Sequence, residues 1–340
     1  MNKVRVQDAV GMVLGHDITK IVPNEFKGRA FKKGHIISVN DIPELLKLGK
    51  EHIFIMPTNK DLLHENEAAL RIASAGGKVG VNFTEPKEGK VNLLADSSGL
   101  LKVNKELLRK INSVEDIIFA SIHNNTPVSE NQIVAGTRII PLVIDEKSIK
   151  YIEEICAQEN LIEIKPYKEF KVGIVTTGNE VFYGRIQDAF GPVLRVKVSP
   201  FATEVIEQKI VPDSKEAIRE AVFSLIEKGA NMILATGGMS VDPDDVTPSA
   251  IRELGTKIIS YGAPALPGAM FLMGYLGDIP IMGLPGCVMY NKITVFDLIL
   301  PRVLAGEVIT KMDIINLGHG GLCLECNPCR YPNCSFGKGD

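Results

Sequence analysis

Met232-Ile233-Leu234-Ala235-Thr236-Gly237-Gly238-Met239-Ser240 runs from a short apolar segment straight into a glycine pair, and Val241-Asp242-Pro243-Asp244-Asp245 follows (232–245). A brief apolar run closed by turn residues reads as a strand buried on both faces. The flanks supply the helices. Upstream, Asp213 with Glu216 three positions on predicts a capped start. Ile218, Ala221, Val222, Leu225 and Ile226 then fall at helical spacing, and Gly229 closes the helix. Downstream, Thr247 is the expected cap of another helix, with Pro248 at its first position. The same phrase occurs earlier, where Lys171 to Val175 runs into Thr176-Thr177-Gly178-Asn179-Glu180. Strands at 258–261 and 279–282 and a last helix from about Met289 to Leu304 complete the pattern. Alternating strands and helices predict a three-layer α/β domain with a mostly parallel sheet, and such sheets bind ligands at strand carboxyl ends near a topological switch point.

Both glycine loops end such strands. Glycine lets backbone N–H groups approach an anion, and Thr or Ser hydroxyls add donors. Taken singly, TGN and TGG are ordinary tight turns. Two of them at the ends of strands in one sheet favour a phosphate grip. Glu180, Asp188, Asp242, Asp244 and Asp245 lie in or beside these loops. Carboxylates next to a phosphate repel it unless a divalent cation lies between, so Mg²⁺ is the expected ion. The bland alternative is a solvated turn leading into the next helix. Leu266-Pro267-Gly268-Ala269-Met270-Phe271 and Gly283-Leu284-Pro285-Gly286-Cys287 are Pro-Gly turns, each weak alone.

In this order, TTGNEV (176–181), GRIQD (184–188), TGGMSVDPDD (236–245), PGAMF (267–271) and GLPG (283–286) resemble the molybdopterin molybdenumtransferase family. The resemblance spans about residues 171–310. It implies a molybdopterin-binding domain, a homodimer, and Mg²⁺-assisted insertion of molybdate into adenylylated molybdopterin. Glu180, Asp188, Asp242 and Asp245 would be catalytic. Thr176, Thr177, Gly178, Asn179, Thr236, Gly237, Gly238, Met239, Ser240, Pro267, Gly268, Pro285 and Gly286 would hold the pterin. The chain departs from that pattern: Leu266 and Ala269 stand where lysines are usual, Cys287-Val288 where Asn-Pro is usual, and Phe190 where an Asn is usual. These departures imply a divergent subgroup. Its alternative role is a cofactor carrier or maturation factor for a molybdenum hydroxylase, and related folds that hydrolyse nucleotide pyrophosphates offer a third reading.

Working outward, residues 1–57 read as β-rich with one helix carrying Ile42, Leu45, Leu46 and Leu48, capped by Asn40 or Asp41. Residues 58–168 read as an α+β region. Its expected features are a helix over 65–73, strands at 91–94 and 100–103 joined as a hairpin through Asp96 to Gly99, and a helix capped by Asn104. Residues 169–310 are the α/β domain and 311–340 a cysteine-rich tail.

The tail holds Cys323-x2-Cys326-x2-Cys329-x4-Cys334, four of six cysteines in the chain of 340 residues. Such a set reads as a metal site, for Zn²⁺ or an iron–sulfur cluster. His319 is a possible substitute ligand, and reduced thiols on a flexible tail are the alternative. Cys156 and Cys287 read as ordinary buried thiols. A net charge of −3 gives no field for nucleic acid. The start of the chain has no signal-peptide core and no segment reaches the roughly 18 apolar residues of a membrane helix, so a cytoplasmic protein is expected.

Overall fold

The computed structural model describes residues 2–22, 26–56, 61–240, 242 and 245–339. The chain forms two units. One comprises Met1–Ser97, Lys102–Ile122 and Ser129–Ile164, and the other Ser98–Leu101, His123–Val128 and Lys165–Asp340.

In the first unit, Asn2–Arg5 pairs antiparallel with His52–Ile55, and Ile18–Val22 with Phe26–Phe31. Helix Asp41–Lys47 covers a small core of Val6, Ala9, Leu14, Ile18, Ile37, Leu45 and Ile53. Asp41 accepts from the Ser38 backbone and hydroxyl and from the His35 ring, so it braces the start of its own helix. Asn104 caps helix Lys105–Asn112 through the Leu107 N–H. The expected hairpin over 91–103 does not form. Lys90–Ala95 has Ile133–Ile139 on one edge and Val81–Phe83 on the other, which leaves no edge for a hairpin partner. Gly99 and Leu100 pair instead with Val128 and Pro127.

The second unit is built on a six-stranded sheet. Its strands are β1 (Phe170–Thr177), β2 (Thr203–Val211), β3 (Met232–Thr236), β4 (Lys257–Tyr261), β5 (Leu272–Leu276) and β6 (Ile279–Leu284), in the order β2-β1-β3-β6-β5-β4. Strands β2, β1, β3 and β6 are mutually parallel, and β5 is antiparallel to both neighbours. Helices α1 (Phe190–Val198) and α4 (Val295–Leu304) pack on one face. There they bury Leu194, Val198, Phe296 and Ile299 with Val172, Ile174 and Leu234. Helices α2 (Lys215–Glu227) and α3 (Thr247–Glu253) cover the other, against Val175, Ile233 and Ala235. Alternate residues of one strand thus enter opposite cores, the period of two demanded of a sheet covered on both faces.

Several expected boundaries shift. Ser214, not Asp213, caps α2, accepting from the Ala217 N–H. Thr247 lies inside α3, whose cap position is Val246. The last helix begins at Val295 rather than near Met289. Gly286–Met289 is a 3₁₀ turn, and Thr294 with Asp297 forms the capping box that sets the start of α4. Among the described residues, no helix is long and apolar enough to cross a membrane.

Candidate functional site at the strand ends

The register aligns one row of residues across the sheet. Ile210 of β2 pairs with Thr176 of β1, Thr176 with Thr236 of β3, and Thr236 with Leu284 of β6. Gly283 then pairs with Leu272 of β5, and Leu272 with Tyr261 of β4. Because β5 runs antiparallel, residues 267–271 arrive at the same edge that the parallel strands leave. Four of the five sequence motifs, TTGN, TGGM, PGAM and GLPG, therefore begin or end within a residue of this row. The strand order reverses between β1 and β3, so the TTGN and TGGM loops flank the switch point.

The threonines form the floor. Thr176, Thr177 and Thr236 are buried. Gln208 Nε2 donates to Thr176 Oγ1 at 3.0 Å and to Asp188 Oδ2 at 2.6 Å, and Thr236 Oγ1 donates to Thr176 Oγ1 at 3.4 Å. Thr247 Oγ1 donates to the Gly237 carbonyl at 2.9 Å, so its 3.2 Å contact with Thr177 Oγ1 is one in which Thr177 donates. These hydroxyls bind the two loops to each other.

Above that floor lies backbone. Gly237 and Gly238 have φ of +83° and +53°. Among the described residues, no backbone carbonyl accepts from the N–H groups of Gly237, Gly238, Met239 or Ser240. Successive N–H groups in such a turn make an anion-binding concavity. The Met239 side chain is buried, while its carbonyl and that of Ser240 accept from Tyr261 Oη at 2.9 and 3.3 Å.

The acidic residues occupy different settings. Glu180 is exposed, its carboxylate lying over Gly178. Asp188 accepts from the Phe190 and Gly191 N–H groups at 2.9 and 3.0 Å as well as from Gln208, so it fixes the start of α1. Asp242 and Asp245 close a turn on each other: the Asp242 N–H donates to Asp245 Oδ2, and the Asp245 N–H to the Asp242 carbonyl. Asp244 lies outside the described residues. Among the described residues, no group of three or more His, Cys, Asp or Glu is arranged to hold a metal ion.

Asp213, which the sequence offers only as a helix start, closes on the TTGN loop. Its Oδ2 accepts from the Asn179 N–H at 2.9 Å, while its own N–H donates to Asn179 Oδ1 at 3.3 Å. This reciprocal pair pins the TTGN loop to the end of β2. Pro267 offers its carbonyl to the Val295 N–H, which ties its loop to the start of α4. Pro285 opens the 3₁₀ turn, and Gly286 is exposed beside it. Burial pushes the Cys287 thiol pKa up, against its use as a nucleophile.

Beneath the 285–294 loop lies a buried ion pair. Lys197 Nζ donates to both oxygens of Asp297 at 2.9 Å and to the Lys292 carbonyl at 2.6 Å. This pair fastens α1 to the start of α4 and to the loop that follows GLPG.

A family described as "Probable molybdopterin binding domain" matches residues 173–305, and a "Domain of unknown function (DUF8806)" matches residues 3–57. The chain is 27% identical over 156 residues to the molybdopterin molybdenumtransferase of Haemophilus influenzae, a match covering 44% of this chain and 38% of that protein. It is 34% identical over 95 residues to the molybdopterin adenylyltransferase of Pyrococcus furiosus, covering 28% of this chain and 56% of that one. A solved structure of the molybdopterin biosynthesis enzyme MoaB of Thermus thermophilus aligns with 25% identity and a TM-score of 0.35, over 41% of this chain and 98% of that one. The chain thus spans about half the length, or less, of the curated relatives it matches. Residues 173–305 thus match the family described as "Probable molybdopterin binding domain", and the motifs that meet on one strand-end row all lie within that stretch.

Proposed function

We propose that the strand-end row binds the phosphate of a phosphorylated pterin, and that the protein is an enzyme of molybdenum-cofactor biosynthesis that inserts molybdate into adenylylated molybdopterin. One observation carries this reading: the TTGN, TGGM, PGAM and GLPG loops share a single edge at the switch point, where the N–H groups of Gly237 to Ser240 meet no backbone carbonyl among the described residues.

In this proposal Gly237 to Ser240 hold the phosphate, and Thr176 to Asn179 form the opposite wall. Pro267-Gly268 and Pro285-Gly286 bound the pterin. Glu180, Asp242 and Asp245 are the catalytic candidates because they stand at the edge and touch solvent. Asp188, with three donors on its carboxylate, is better suited to positioning α1 and Gln208 than to meeting substrate. A homodimer and a molybdenum hydroxylase as client belong to the same proposal.

The test is incubation of the full chain with adenylylated molybdopterin and molybdate, with and without Mg²⁺, following AMP and protein-bound molybdenum together. The transferase reading expects both products in equal amounts. Glu180→Ala and Asp242→Ala are expected to slow turnover by roughly 100-fold or more if either carboxylate moves a proton. Tight pterin binding with no AMP would instead support the carrier. Leu266 and Ala269 favour that second reading, because they put apolar side chains where the resemblance calls for lysines that would meet an anion.

A further inference from the structure

Among the described residues, 319–339 contain no helix and only one isolated bridge, Leu266 with Leu322. Yet Phe336 is buried in the core under α4, and Cys323, Tyr331 and Cys334 pack against the same core. Tyr331 Oη donates to the Asp297 carbonyl at 3.2 Å. Chains too small for a core of their own are commonly stapled by a disulfide or a metal, and the same staple would serve a segment this poor in regular structure. The candidates are at hand. Cys323, Cys326, Cys329 and Cys334 all line one cavity of about 450 Å³, together with Tyr290 to Ile293. All four are free thiols.

We infer that Cys323, Cys326, Cys329 and Cys334 close on one thiophilic metal centre, and that filling it fixes the Leu266–Gly268 loop at the edge of the sheet. Each thiol gives up its proton as its sulfur binds, so a divalent ion and four thiolates leave two negative charges and release four protons. Two cations lie nearby: Lys292 lines the cavity, and Lys338 Nζ donates to the Pro332 carbonyl, two residues before Cys334. The sulfurs share a cavity without yet forming a ligand set, so the exposed Cys326–Cys329 turn moves inward as the centre forms. A single zinc ion and an iron–sulfur cluster share this thiolate chemistry.

The link to the sheet edge is backbone. The Cys323 N–H donates to the Leu266 carbonyl at 2.8 Å, and the Leu266 N–H to the Gly321 carbonyl at 2.7 Å. Pro267, the next residue, is held from the other side by Val295. A metal that immobilises Cys323 therefore immobilises the loop. The consequence for pterin rests on the function proposed above; the metal centre does not.

The full chain, reduced and anaerobic, is titrated with cobalt(II) and zinc(II), and separately with iron(II) and sulfide, in the absence of pterin. The expected result is one saturable centre per chain with thiolate-to-metal charge transfer. Tetrahedral cobalt bands indicate a single ion, and iron–sulfur absorption a cluster. Amide exchange at Leu266 and Cys323 slows as the centre fills. The double substitution Cys326→Ser, Cys329→Ser weakens the centre by more than about 100-fold, beyond the range typical of outer-shell residues. Should that variant misfold, alkylation of the unaltered chain decides: the metal shields the four tail thiols and leaves Cys287 as it was. Absence of both spectral signatures, equal binding by a folded double variant, unshielded tail thiols, or unchanged exchange at Leu266 with the centre full would each overturn the inference. No arm contains pterin, so none of these failures bears on the pterin proposal.

Discussion

A methyl group on Gly237 would stand 2.0 Å from the Thr177 carbonyl oxygen, in a backbone already at φ +83°. Neither the contact nor the dihedral suits an L-residue. Gly237→Ala is expected to cost about 1–3 kcal/mol of stability, read as a lower urea midpoint, and to weaken pterin binding beyond that loss of fold. A second residue-scale prediction lies in the other unit. His64 Nδ1 accepts from the Asn66 N–H, so Nε2 carries the proton and donates to the Gly15 carbonyl. Burial, with the Lys33 charge adding to it against the opposing Gly15 bond, holds its pKa down to about 4. The unfolded ring takes its proton near the ordinary value of about 6.5. Between those values the unfolded state binds more protons, so stability is full above the higher pKa and falls as pH drops toward the lower. His64→Asn keeps an acceptor for Asn66 and removes the titration. Its urea midpoint should fall less than that of the unaltered chain between about pH 7 and pH 4.5. At this scale the glycines and carboxylates were readable from their types as candidates. Their partners were not: Asp213, Gln208 and Tyr261 reach the site only through register and loop closure.

At the scale of elements, strands with continuous apolar runs were readable and those with mixed patterns were not. Met232–Thr236 is buried throughout, whereas Thr203–Val211, on the edge of the sheet, is only partly buried and carries no clear period. Leu272–Leu276 escaped too, although its antiparallel course is what brings the PGAM loop to the site. The failed hairpin shows the converse: a turn signal between two apolar runs says nothing of whether a free edge exists. Two neighbouring residues that look interchangeable as helix caps should separate cleanly. Ser214→Ala is expected to lower stability by about 1 kcal/mol in thermal unfolding, since it removes the cap of α2. Asp213→Ala should leave stability nearer the original value and reduce pterin affinity, since it frees the TTGN loop. Equal effects of both on affinity would refute this division of labour.

At the scale of the whole molecule, the α/β class was legible because the period of apolar residues alternates over the second half of the chain. The convergence of four motifs onto one row was not, because sequence order does not reveal strand order. That convergence is the central claim, and amide hydrogen exchange of the full chain with and without molybdopterin tests it most directly. The account predicts that bound pterin slows exchange together at 176–180, 236–240, 266–271 and 284–287, with little change in the unit that contains residues 2–56. Protection confined to one of these loops, or centred in that other unit, would contradict it.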